Sequence, residues 1–165
     1  MTDAHHPSNT LNPQLSPNFD LARLTRSDTA RERGLSNQPL PEHLPHLRLL
    51  AAALEQVQAL LGAPLEVSSG YRSPALNAAV GGVPRSLHAL GLAADFDCPG
   101  FGAPLEVARA IAASSIAYDQ IIHEFGRWVH FGLARPGEAP RRQLLTICSS
   151  AAGYIDGLHP CTPTA

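Results

Sequence analysis

Residues 86–97 read SLHALGLAADFD, and the fold turns on how this stretch divides. Residues 92–97, LAADFD, read as a strand on which Ala93, Asp95 and Asp97 share one face. His88 precedes Asp95 by seven positions (95 − 88), with Gly91 between them. A glycine there permits a backbone turn that a residue with a Cβ resists, so the loop histidine and the strand aspartate can aim at one point. A third candidate, His130, closes Trp128-Val129-His130 on a later strand. Two imidazoles and one carboxylate suit zinc and leave a fourth position for water, as a hydrolytic centre needs.

Upstream, residues 65–72, LEVSSGYR, read as a strand running into a tight turn at Gly70. In the following SPALNAAVGG, Ser73 caps a short helix, Pro74 takes its first position and Gly81 ends it. Before that, Leu47, Leu50, Leu54, Val57 and Leu61 recur at steps of three and four, which predicts a helix from about Glu42 to the stop at Gly62. Ser27-Asp28-Thr29 can cap a short helix ending at Gly34. Phe19, Leu21 and Leu24 have the character of a docking segment. Downstream, Pro104 opens another helix, and YDQIIHEF and RWVHFGLA read as two strands joined by a tight turn near Gly126. RQLLTI adds an edge strand. Helices followed by mostly antiparallel strands predict an α+β fold, one domain with an antiparallel sheet and flanking helices. Its expected limits are a loose polar arm over 1–16, the domain over 17–147 and a tail over 148–165.

Composition narrows the function. The 165 residues suffice for one core and are too few for two ordinary domains. Apolar residues make up 44% and charged ones 16%, which excludes the disordered class. A formal charge of -2 gives no electrostatic case for nucleic acid or an anionic membrane. No apolar run is long enough to span a bilayer, and no signal peptide is apparent at the N-terminus, so the expectation is synthesis in the cytoplasm without membrane insertion. Cys98, Cys148 and Cys161 are odd in number and lack metal-type spacing, which favours reduced thiols; a Cys148–Cys161 pair after export stays open.

The combination Ser-x-His-x-x-Gly-x-Ala-x-Asp with a later Trp-x-His resembles the signature of zinc D-alanyl-D-alanine carboxypeptidases and their relatives, including L-alanyl-D-glutamate endopeptidases of phages. SSGYRSPALNAAVGG and YDQIIHEF are also similar to that family, notably its small phage and prophage members, over roughly Phe19 to Leu133. The resemblance implies a hedgehog/DD-peptidase-like fold and one zinc ion held by His88, Asp95 and His130.

Hydrolysis needs a carboxylate beside the metal-bound water. Some relatives carry an acid three residues before the third ligand, where this chain has Arg127, which stays protonated. Glu124 is the best remaining base if its strand neighbours that of His130; Asp119 is the fallback, and a Glu124–Arg127 ion pair is the bland alternative. Arg72 resembles the family's substrate-side arginine, able to bind a peptide carboxylate or polarise the scissile carbonyl. Ser86 supports the first ligand or the substrate, and Tyr71 and Gln120 are candidates to line the cleft. His123 alternates away from Glu124 and belongs to packing or solvent.

These residues lead to a monomeric zinc hydrolase of peptidoglycan stem peptides, a D,D-carboxypeptidase or an endopeptidase. The alternative is a zinc-bearing module that binds wall peptides without cutting them. An enzyme of this kind made in the cytoplasm reaches the cell wall only after release, as a phage endolysin does.

Overall fold

The computed structural model describes residues 12–161. Of the expected arm, residues 1–11 lie outside that range. Residues 14–16 are instead the first strand, β1 (Gln14–Ser16), paired antiparallel with β2 (Phe19–Asp20). Two short helices follow, α1 (Leu21–Thr25) and α2 (Asp28–Glu32), capped by Asp20 and by Ser27. Phe19 and Leu24 are completely buried, so this segment docks as its apolar residues suggest.

The long helix α3 (Leu44–Leu61) ends at Gly62, whose φ of 65° gives the left-handed cap. Its stripe is the core: Leu47, Leu50, Leu54 and Val57 are fully enclosed, each side chain contributing roughly 1.5–3 kcal/mol by burial. Next come β3 (Glu66–Ser69), α4 (Pro74–Ala79), a 3-10 turn over Leu87–Leu90, β4 (Ala93–Asp97) and α5 (Pro104–Ala112). The chain then forms β5 (Gln120–Glu124), β6 (Trp128–Gly132), β7 (Gln143–Ile147) and β8 (Ile155–Asp156).

The last six strands form one sheet, ordered β3-β4-β6-β5-β7-β8. The fold is α+β, and its sheet is antiparallel except where β7 runs parallel to β5. The mostly antiparallel sheet is as expected, and one expectation, β7 as an edge strand, is corrected. The connection after β6 carries the chain back so that β7 starts beside Gln120, which fixes the parallel sense. And β7 is not an edge, because β8 pairs with it through Leu145–Asp156 and Thr146–Ile155. The expected tail thus contributes a strand, and residues 162–165 lie outside the described range.

The register sorts the sheet into two faces. Val67, Ala94, Phe96, Val129, Phe131 and Ile121 point to the side covered by α3 and α5 and are buried with them. Ser69, Asp95, His130, Ile122 and Leu145 form one cross-strand row on the other side. Chemistry-bearing side chains therefore share the face opposite the core.

Cys148 and Cys161 form a disulfide, against the reduced-thiol reading. Sequence counting failed here because pairing depends on β8 folding back along β7. Cys98 is free and enclosed, and burial pushes its thiol upward, so it is inert.

Candidate metal centre

The centre begins with a close backbone approach. At Gly70 a Cβ would lie 2.3 Å from the Leu24 carbonyl oxygen, so only glycine fits between β3 and α1. The Gly70 carbonyl accepts the Nδ1–H of His88 at 2.7 Å. His88 is carried by the 3-10 turn, where Ser86 Oγ accepts the His88 amide at 3.2 Å, and Gly91 ends the turn at φ 74°. A Cβ on Gly91 would stand 3.0 Å from Leu47 Cγ. Glycine here both permits the left-handed turn and lets it sit on α3.

Asp95 and His130 face each other across β4 and β6. Nε2 of His88 is 3.1 Å from Asp95 Oδ1 and 3.1 Å from Nδ1 of His130, and that Nδ1 is 2.9 Å from Asp95 Oδ1. With Nδ1–H committed to Gly70, His88 turns its Nε2 lone-pair position to this triangle, beside the Asp95 Oδ1 acceptor. A cation at the centre satisfies both. Ligand bonds of about 2.0–2.1 Å to a tetrahedral ion require edges of about 3.3–3.4 Å, a few tenths of an ångström wider than the triangle seen. The donor set fits a metal ion, and all three residues are buried.

Arg72 stands behind this triangle. Its Nη2 donates to Asp95 Oδ2 at 2.8 Å and its Nε to Ser69 Oγ at 3.0 Å, while its backbone amide holds the His88 carbonyl at 3.0 Å. Burial alone would raise the Asp95 carboxyl, but the His88 and His130 imidazoles outweigh it and hold the group far below the usual carboxylate range. It is a ready anionic donor.

Glu124 lies on the same face, opposite Trp128 in the β5–β6 ladder and two residues from Ile122, the partner of His130. The turn that joins these strands has Glu124 accepting the Arg127 amide at 2.9 Å, with positive φ at Phe125 (56°) and Gly126 (67°), as a type I′ turn demands. The Glu124 carboxylate accepts the Trp128 indole N–H at 3.2 Å, and no Glu124–Arg127 ion pair forms among the described residues. Burial raises the Glu124 carboxyl above the ordinary glutamate range and the Asp95 charge adds to this; His130, Trp128 and Arg72 pull the other way without cancelling it.

The other candidates separate. Asp119 accepts the Arg141 backbone amide and its guanidinium, both oxygens being engaged at 2.6–3.2 Å, so this carboxylate is committed to a structural ion pair. Tyr71 does not line a cleft. It is 2% exposed, its ring 5.4 Å from that of His43, because the turn at Gly70 sends it into the core. Gln120 stays on the open face but donates to Gln143 Oε1 at 2.7 Å. His123 is buried on the core side and donates to the His159 carbonyl at 2.9 Å.

Sequence reasoning missed two contributors. Asn37 donates to the Thr25 and Tyr71 carbonyls and accepts the Ser73 amide, clamping the loop that carries Arg72. Trp128 orients Glu124; its Trp-x-His spacing signalled it only as part of a motif.

No helix among the described residues is long and apolar enough to cross a membrane. No curated protein matches the chain. A family model described as Peptidase M15 matches residues 17–132, well over half of the 165, and spans all three metal-type donors, Arg72 and Glu124. The chain belongs to the Peptidase M15 family and is a metallopeptidase.

Proposed function

We propose that the chain is a zinc-dependent hydrolase of peptide bonds in peptidoglycan stem peptides, with His88, Asp95 and His130 as the ligands of one zinc ion. The observation that carries this reading is the buried triangle of donors with a carboxylate of raised affinity for protons, Glu124, on the same sheet face. When bound, zinc supplies an acidified water and a polarised scissile carbonyl. Glu124 takes the proton of the attacking water and passes it to the leaving amine; a carboxyl held above the ordinary glutamate range is suited to both transfers. The Trp128 indole fixes its direction. Arg72 holds the Asp95 oxygen that faces away from the donor triangle, and its remaining N–H groups can meet a substrate carboxylate or carbonyl.

The cell wall as place of action draws support from the Cys148–Cys161 disulfide, since such bonds persist in oxidising surroundings. A lytic role after release from the cell, as for a phage endolysin, is consistent with it. Purified peptidoglycan incubated with the protein and analysed by mass spectrometry tests the reading. New peptide termini that vanish with His130→Ala, together with the bound zinc, are expected. Zinc bound at one equivalent with no new termini would instead identify a module that binds wall peptides without cutting them.

A further inference from the structure

A cavity of about 730 Å³ opens beside the metal centre and takes no part in holding it. It is lined by α1 through Arg23 and Arg26, by β3 through Glu66, by Asp97 of β4, and by Arg127 and Trp128. Asp97 and Trp128 lie two residues beyond Asp95 and His130 on the same strands, which places the cavity floor about 7 Å from the donor triangle. Trp128 is a wall of the cavity and also the residue that orients Glu124, so the two spaces are neighbours.

The charges of this cavity are unusual. Arg23 spends its guanidinium on the Asn18 and Leu65 carbonyls and lies over the Phe19 ring. Arg26 and Arg127 make no ion pair among the described residues, and neither do Glu66 and Asp97. Yet Glu66 and Asp97 are direct cross-strand partners. Like charges in that arrangement repel, and among the described residues the Asp97 carboxylate has only the Cys98 amide as a donor. The cavity thus offers two unpaired guanidinium groups and two unpaired carboxylates, a set that neither a plain anion nor a plain cation satisfies.

We infer that this cavity is a substrate subsite for a zwitterionic amino-acid group, a free carboxylate with a free ammonium, carried by the peptide one or two residues from the bond that is cut. Arg26 and Arg127 take the carboxylate, and Glu66 and Asp97 take the ammonium. Arg127, which stays protonated, then serves selection of the substrate and not proton transfer. Arg26, Glu66 and Arg127 are exposed, so a peptide that lacks either charge forgoes one ion pair and water takes its place; the subsite favours the peptide that makes both.

The inference rests on the reading of the chain as a peptide hydrolase, and the test separates the two. Three synthetic stem peptides are compared, alike except for one side chain near the scissile bond. One ends in both ammonium and carboxylate (a diaminodicarboxylic acid), one in ammonium alone (lysine) and one in carboxylate alone (glutamate). The zinc-loaded protein is expected to favour the first by up to about fivefold in kcat/KM, chiefly through KM. Arg127→Gln should erase the advantage over lysine, and Glu66→Gln the advantage over glutamate, with cleavage of the disfavoured peptide unchanged. Both positions are exposed, and zinc content with circular dichroism verifies folding. Equal kcat/KM for the three peptides, or a uniform loss in the variants, overturns the subsite. Cleavage of none of them would overturn the hydrolase reading itself.

Discussion

Glu124 and Asp119 are carboxylates at the two ends of one strand region, and their surroundings give them opposite work. Glu124→Gln keeps the three donors and the Trp128 contact in outline, so zinc content should be unchanged while kcat falls by about 10²–10⁴. Activity needs the ionised carboxyl, so the kcat/KM profile of the parent protein should carry an acid limb that belongs to Glu124, whose carboxyl burial and the Asp95 charge raise in the metal-free protein. A limb that survives unchanged in Glu124→Gln would assign it to another group. For Asp119, burial opposes ionisation but the Arg141 hydrogen bonds outweigh it, so its carboxyl is held below the usual range. A carboxyl lowered on folding stabilises the fold above its unfolded pKa, and that contribution disappears as pH falls through the folded value. Asp119→Asn should therefore cost about 1 kcal/mol near neutrality, Arg141 being partly exposed. The gap between the two proteins in denaturant unfolding should narrow below about pH 4, the ordinary aspartate range.

At the scale of elements, the turn at Gly91 and the approach at Gly70 decide whether the donors meet. Gly91→Ala forces a Cβ against Leu47 in a left-handed turn, which should cost about 1–3 kcal/mol and weaken zinc binding by moving His88. Equilibrium unfolding and zinc titration read the two effects separately. These elements were legible because their signals are local. The stripe of α3, the caps Ser27 and Ser73, and the alternation of β4 need no knowledge of distant residues. The donor triangle was legible as a motif, and the pairing of Asp95 with His130 follows from the strand assignment. What was not legible is long-range. Nothing in QLLTI tells that it runs parallel to β5, and nothing around Tyr71 tells that the turn at Gly70 directs it inward. The Asp119–Arg141 pair joins residues far apart in sequence, and so removed a candidate base without any local sign.

For the whole molecule, one sheet separates two environments. Its covered face supplies stability through α3 and α5, and its open face presents His130, Asp95, Glu124 and the neighbouring cavity in adjacent rows. Substitutions on the open face can thus alter chemistry with little loss of stability, while those on the covered face do the reverse. The family match ends at residue 132, before β7, β8 and the disulfide. The sheet is completed by chain that lies beyond it.

That completion has a consequence for how the molecule behaves in company. The β8 strand is only two residues long, and its hold on β7 is reinforced by a disulfide closed over a separation of 13. Opening the bond should lower stability by up to about 3 kcal/mol, the amount expected for a loop of this size. It would also let β8 peel away and bare a five-residue strand, Gln143–Ile147, with unpaired amides and carbonyls. Such an edge recruits another chain's strand. Under reducing conditions the protein should self-associate as its concentration rises, visible as growing light scattering, and Cys148→Ser should do so without reductant. Scattering that is indifferent to both would mean that β8 guards its edge unaided.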